Sequence, residues 1–230
     1  MVVKEKLNSS SSSSKKYPIA DLIKDHKNDN TMIGIDVSSW QGDIDWKMVK
    51  DSGVEFAIIR MGFGHNKENG MTMDKYFLDN FKEAKENGIL VGLYFFSYAT
   101  ANWEAIEQVK WIVDTLEGQS LDLPIAFDWE SWKQFNSYGI NLLDLNNVAK
   151  TYMDEINKSG YQAMMYGSAS YLNNIWDTDS YPTWLAHYTN KTTYSNPYFM
   201  WQLSNTGQVP GIEGDVDLNV LYIDRWNSIK

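Results

Sequence analysis

From Met32 onward, apolar runs of strand length alternate with stretches whose apolar residues recur every three to four positions. The short runs Met32-Ile33-Gly34-Ile35-Asp36-Val37, Phe56-Ala57-Ile58-Ile59-Arg60-Met61, Ile89 to Phe96, Leu123 to Trp129 and Ala163 to Tyr166 predict buried strands. Between them, helices are predicted over Trp46 to Ser52, Asp74 to Asn87, Asn102 to Glu117 and Leu143 to Ser159, three of them followed by a glycine, Gly53, Gly88 or Gly160, suited to ending a helix. Strand and helix in repeated alternation imply a parallel sheet, and the near-continuous apolar strands suit a closed barrel. After Tyr166 the pattern changes. Thr183 to His187, Tyr198 to Leu203 and Val216 to Tyr222 read as strands, but the intervals are rich in Asn, Thr, Gly and Pro, without room for full crossover helices. The expected fold is thus an α/β, irregular TIM-like barrel whose last three strands are joined by loops.

Residues 1–30 are expected to stand outside the barrel as a disordered leader or linker: a run of six serines, Ser9 to Ser14, is flanked by lysines, with a short helical turn at most over residues 17–25. Residues 31–230 then form one domain, a length that an α/β barrel fills without splitting. The net charge of -10, with no Lys/Arg-rich block, disfavours nucleic acid as a partner, and no apolar run is long enough to span a membrane. The absence of cysteine excludes disulfides and thiolate chemistry without fixing a compartment. Ten Trp, fourteen Tyr and nine Phe exceed what a core of this size needs, and aromatic faces stack on the C–H faces of sugars.

The candidate chemistry lies in carboxylates. Asp128 and Glu130 close the fourth strand run, and the two-residue period puts both on one face, roughly 7 Å apart at Cα. Mutual repulsion there raises one pKa and leaves an acid protonated beside a charged neighbour, as general acid catalysis requires. An isolated Asp-x-Glu is as readily a solvated strand end. Asp36 lies near the end of the first strand; in such barrels, reactive groups gather at the C-terminal strand ends. Asp217 begins the last strand, so it reaches the same mouth only if that strand runs antiparallel, as a short connection permits. Zinc-type His spacing and an EF-hand loop are lacking, Gly167-Ser168-Ala169-Ser170 is not a nucleophile elbow, Gly62-Phe63-Gly64 is not a phosphate loop, and His187 stands alone. No metal or other cofactor is implied. Glycosidic bond cleavage is the best use of such a set, with a glycan-binding module lacking turnover as the alternative and an acidic-site metallohydrolase as a third reading.

Ile33-Gly34-Ile35-Asp36-Val37-Ser38-Ser39-Trp40-Gln41-Gly42-Asp43-Ile44-Asp45-Trp46 resembles the opening signature of glycoside hydrolase family 25, the Chalaropsis-type lysozymes. Phe56 to Gly62, Gly92 to Phe96, Asp128-Trp129-Glu130, Trp184 to Tyr188, and Trp201-Gln202 leading into Gly214 to Asn219 follow in the family's order. The resemblance implies eight strands with about five helices, and cleavage of the β-1,4 bond between N-acetylmuramic acid and N-acetylglucosamine in bacterial cell-wall peptidoglycan. It assigns Glu130 as general acid, Asp128 as the carboxylate that orients the substrate N-acetyl group or steadies an oxazolinium-like intermediate, and Asp36 and Asp217 as the rest of an acidic floor. Tyr94, Phe96, Tyr166, Trp184, Tyr188, Gln202 and Arg60 are its candidate substrate-binding residues. It further implies a monomer working outside the cell or at the wall, or released from the cytoplasm by a phage. Many members carry His where this chain has Phe95, which points to a missing polar contact in the site.

Overall fold

The computed structural model describes residues 15–64 and 70–229, the Gln134 side chain apart. Eight strands close a barrel: β2 (Thr31–Val37), β3 (Phe56–Gly64), β5 (Leu90–Phe96), β6 (Ile125–Asp128), β7 (Ala163–Ser168), β8 (Thr183–Ala186), β9 (Met200–Gln208) and β10 (Val216–Tyr222), with β8 pairing β9 to complete the ring. Neighbours are parallel except around β10, which is antiparallel to both β9 and β2. Two short strands lie off the ring. β1 (Tyr17–Pro18) pairs with the part of β9 that extends past β8, and β4 (Met71–Met73) folds back on β3.

Helices α2 (Trp46–Asp51), α3 (Phe77–Glu86), α4 (Asn102–Leu116), α5 (Leu142–Lys158) and α6 (Ala169–Asn174) each follow a ring strand. These match the five expected crossovers in number, but α6 falls in the stretch read as lacking one, and α1 (Ile19–His26) and α7 (Ile223–Ser228) bring the described helices to seven. Ser168 starts α6 by accepting from the Tyr171 N–H, a local cap in a segment too short to show helical periodicity. No helix among the described residues is long and apolar enough to cross a membrane.

The N-terminal boundary differs from expectation. Ile19 and Leu22 of α1 are buried in the main core, and β1 is bonded to the ring, so the domain begins near Lys15 and not at residue 31. Amphipathic α1 is only eight residues long and follows a polar run, which hid it. The serine run itself lies outside the described residues.

Strand alternation sorts the side chains into two cores. Ile33, Ile35, Ala57, Ile59, Leu93, Phe95, Phe127 and Met165 face the helices, whereas Phe56, Ile58, Ala126, Met164, Trp184, Met200 and Leu221 fill the barrel's interior. Gly34 has to be small: a Cβ there would stand 2.4 Å from the Phe56 ring that plugs the interior. Above that plug, the next inward positions are Asp36, Arg60, Tyr94, Asp128, Tyr166, Gln202 and Asp217, and these form the mouth. Phe95 faces outward, 5.7 Å from Trp111 of α4, so no polar contact in the mouth is lost by having Phe there.

Candidate active site

Asp36 ends β2, and its Cα partner on reversed β10 is Asp217. The antiparallel strand therefore delivers Asp217 to the mouth, and the two side chains share a hydrogen bond. Two amides aim at one oxygen of Asp36: Gln202 Nε2 donates to Oδ2 at 2.8 Å and Asn219 Nδ2 at 2.7 Å. Each amide is held the right way round by a donor to its own oxygen. Trp184 Nε1 donates to Asn219 Oδ1 at 2.8 Å, and the Tyr166 and Tyr188 hydroxyls donate to Gln202 Oε1 at 2.9 and 3.2 Å. Burial pushes the Asp36 carboxyl up to about 6, opposed by these donors, which favour its charged form. Asp217 is pushed up to about 8 by burial and by the Asp36 charge. Near neutrality Asp217 thus keeps the proton it shares with an ionised Asp36.

Asp128 is the last residue of β6, with its Cα paired to Phe96 at the end of β5. The chain turns at once: Trp129 swings outward into an aromatic cluster, where its Nε1 donates to the Ala99 carbonyl at 3.0 Å, and Trp132 N–H donates to the Glu130 carbonyl at 2.8 Å. Glu130 therefore stands just past the strand and not within it. Asp128 is 5 % exposed, and its Oδ1 has no hydrogen-bond partner among the described residues. Burial, then the charges of Glu130 and Asp36, raise Asp128 well above the carboxylate range, with Arg60 pulling the other way; burial alone raises Glu130. Together the four carboxylates crowd one mouth, each with a raised proton affinity. No metal-binding group of three or more His, Cys, Asp or Glu side chains occurs among the described residues.

The aromatic candidates divide. Tyr94, Tyr166 and Tyr188 border the mouth, the first bonded to the Ser38 side chain, and Phe96 packs edge-on against Tyr98 at 5.1 Å. Trp184 does not reach the cavity. At 2 % exposure it lies beneath the mouth against Tyr94 and Tyr166, where it serves Asn219 and cannot touch a sugar. Arg60 is likewise engaged: its guanidinium donates to Asp74 Oδ2 at 2.7 Å and to Ser39 Oγ at 2.8 Å, bracing the turn after β2. His187 Nδ1 pairs with Thr192 Oγ1 at 2.8 Å, a structural contact. Asn219, Asp74 and Trp40 escaped the sequence reading. Only Asn219 carried a usable signal, since it stands two residues after Asp217 and so on the same strand face.

Residues 35–212 match the model of glycosyl hydrolases family 25. The chain belongs to that family. This family 25 chain is 32% identical over 200 residues to YegX of Escherichia coli K12, a match spanning 83% of the chain and 69% of YegX. It is 31% identical over 204 residues to lysozyme M1 of Streptomyces globisporus, covering 81% of the chain and 66% of that enzyme. Among solved structures, the modular autolysin LytC of Streptococcus pneumoniae, in complex with a synthetic peptidoglycan ligand, superposes with a TM-score of 0.72 at 27% identity. The alignment covers 85% of the family 25 chain but only 48% of LytC, about half of that protein's length. The first acidic motif and the β6 pair both lie inside the matched span, whereas Asp217 and Asn219 lie beyond it.

Proposed function

We propose that this family 25 hydrolase is an N-acetylmuramidase, a lysozyme that cleaves the β-1,4 bond between N-acetylmuramic acid and N-acetylglucosamine in peptidoglycan. One observation carries the assignment of roles: Glu130, an acid exposed at the mouth, stands two residues from a buried carboxylate, Asp128, that has an oxygen without a partner among the described residues. Relatives named as lysozymes and the peptidoglycan ligand held by LytC support the substrate. Partial desolvation of its carboxyl raises the proton affinity of Glu130, which protonates the leaving glycosidic oxygen. The free oxygen of Asp128 accepts the N–H of the substrate's 2-acetamido group. That donor also lowers Asp128's proton affinity, so the charged form that steadies an oxazolinium-like intermediate appears only when substrate is bound. Asp36, held charged by Gln202 and Asn219, keeps Asp128 from ionising early and shares a proton with Asp217.

The proposed catalytic residues all belong to one barrel domain, and the proposed form of the enzyme is a monomer. A cell-wall substrate places the enzyme outside the cell, at the wall, or in a phage lysate. Digestion of purified peptidoglycan followed by mass spectrometry tests the function: fragments ending in reducing N-acetylmuramic acid are expected from the wild type and absent with Glu130→Gln. A Glu130→Gln protein that lyses walls at the wild-type rate would refute the role of Glu130, and a wild type that binds walls without releasing fragments would make the chain a glycan-binding module.

A further inference from the structure

Trp40 is 85 % exposed, the most exposed of the described tryptophans, yet it stands on one of the most tightly tied turns in the molecule. The turn is a single 3-10 loop, Ser39–Gln41, closed by a capping box in which Ser38 Oγ accepts from Trp40 N–H and Gln41 Oε1 accepts from Ser38 N–H. Ser39 N–H donates to Asp74 Oδ2 at 3.0 Å, Arg60 holds the Ser39 hydroxyl, and Gln41 Nε2 reaches the Asp215 carbonyl at 3.1 Å. Gly42 leaves the turn at φ +66, a conformation that disfavours a side chain. A large indole kept in water on a rigid support is not explained by folding, which gains nothing from it.

Beside that ring lies a cavity of about 290 Å³ bordered by Trp40, Gln41, Asn205 and Asp215 and continuous with the mouth at Asp36 and Tyr94. Ligand pockets run from roughly 300 Å³ upward, so this one has room for a single sugar ring and not for a disaccharide. Its chemistry is that of a pyranose, with one flat aromatic wall for the C–H face and amide and carboxylate groups for the hydroxyl rim. Asp215 is already matched in charge, bridged by Lys16 Nζ at 2.5 and 2.6 Å and bonded by Gln208 Nε2 at 2.7 Å, so it offers acceptors without a bare charge. Neither Asp128 nor Glu130 borders the cavity.

We propose that Trp40 is the stacking platform of a one-sugar subsite at the rim of the mouth, which holds a pyranose of the glycan strand next to the ring whose glycosidic oxygen Glu130 protonates. The proposal rests on the peptidoglycan reading for the identity of the glycan, and the test separates the two. In a Glu130→Gln background, calorimetric titration with a tetrasaccharide of alternating N-acetylglucosamine and N-acetylmuramic acid should show binding about tenfold weaker once Trp40→Ala is added, with Trp40→Phe recovering most of the loss. The same ligand should shield tryptophan emission from acrylamide in Glu130→Gln but not in Glu130→Gln/Trp40→Phe. Equal affinities with Ala and Trp at position 40, unchanged quenching, or no binding of the tetrasaccharide by Glu130→Gln would each overturn the subsite. Trp40-dependent binding together with a wild type that releases no fragments would instead overturn the muramidase reading and leave the subsite standing.

Discussion

Asp36 and Asp128 end β2 and β6 at the same mouth and are almost equally buried, at 6 % and 5 % exposure, but their surroundings are opposite. Asp36 receives two amide hydrogens on one oxygen, and each amide is itself fixed by an indole or by phenols. Asp128 has an oxygen with no donor among the described residues and two acidic neighbours that raise its proton affinity. The first environment was completed when the chain folded. The second is left open, and an unsatisfied buried oxygen is costly unless something arrives to satisfy it. The difference separates a carboxylate that maintains the electrostatics of the site from one waiting for substrate.

The sharpest way to break this comparison is through turnover. Glu130→Gln should lower kcat by about 10³-fold, the middle of the range for loss of a general acid, with little change in thermal midpoint. Asp128→Asn should lower kcat by about 10²-fold while leaving stability equal or slightly higher, because the open carboxyl is a burden to the empty enzyme. Asp36→Asn should do the reverse on stability. Its amide oxygen can still accept from Gln202 and Asn219, but without the charge that strengthens both bonds and with an NH2 in place of the oxygen that faces Asp217, costing about 1–3 kcal/mol in denaturant unfolding. If Asp36→Asn and Asp128→Asn prove equally stable, the contrast is wrong.

Smaller effects sharpen it. Asn219→Leu removes one donor from Asp36 and strands Trp184 Nε1, so the expected result is a loss of about 1–3 kcal/mol in denaturant unfolding. The smallest effect is on stability against pH. Asp36 and Asp217 bind their protons more tightly folded, at about 6 and about 8, than a carboxylate does in an unfolded chain. The folded state therefore carries more protons across that interval, and the thermal midpoint should fall as pH rises from about 4 toward 8. Asp217→Asn should flatten the upper part of that slope.

The barrel was legible because its strands are short apolar runs separated by helices with glycine stops, a pattern set by burial on both faces. Asp36 and Asp128 are legible for the same reason, each lying at or next to the end of a strand, whereas Glu130 stands past β6. Asp217 was readable only on condition of strand direction, which local sequence does not encode but the β10–β2 pairing decides. The sequence shows an inward position without its depth or its partners: Trp184 lies one layer below the mouth, and Arg60 is bonded to Asp74, fourteen residues away. Helix α1 reads in the sequence as no more than a short turn outside the barrel, because its stability comes from docking Leu22 against the barrel, a contact that a window of eight residues cannot reveal.

The reversal of β10 has a consequence for engineering. Because that strand descends from the mouth, α7 and residue 229 emerge at the opposite end, where Ile223 N–H meets the Asn30 carbonyl below the start of β2. A protein fused after α7 would trail from the blind side of the barrel and leave the approach of an insoluble, sheet-like polymer unobstructed. A fusion made through the β9–β10 connection, beside Asp215, would sit in that path.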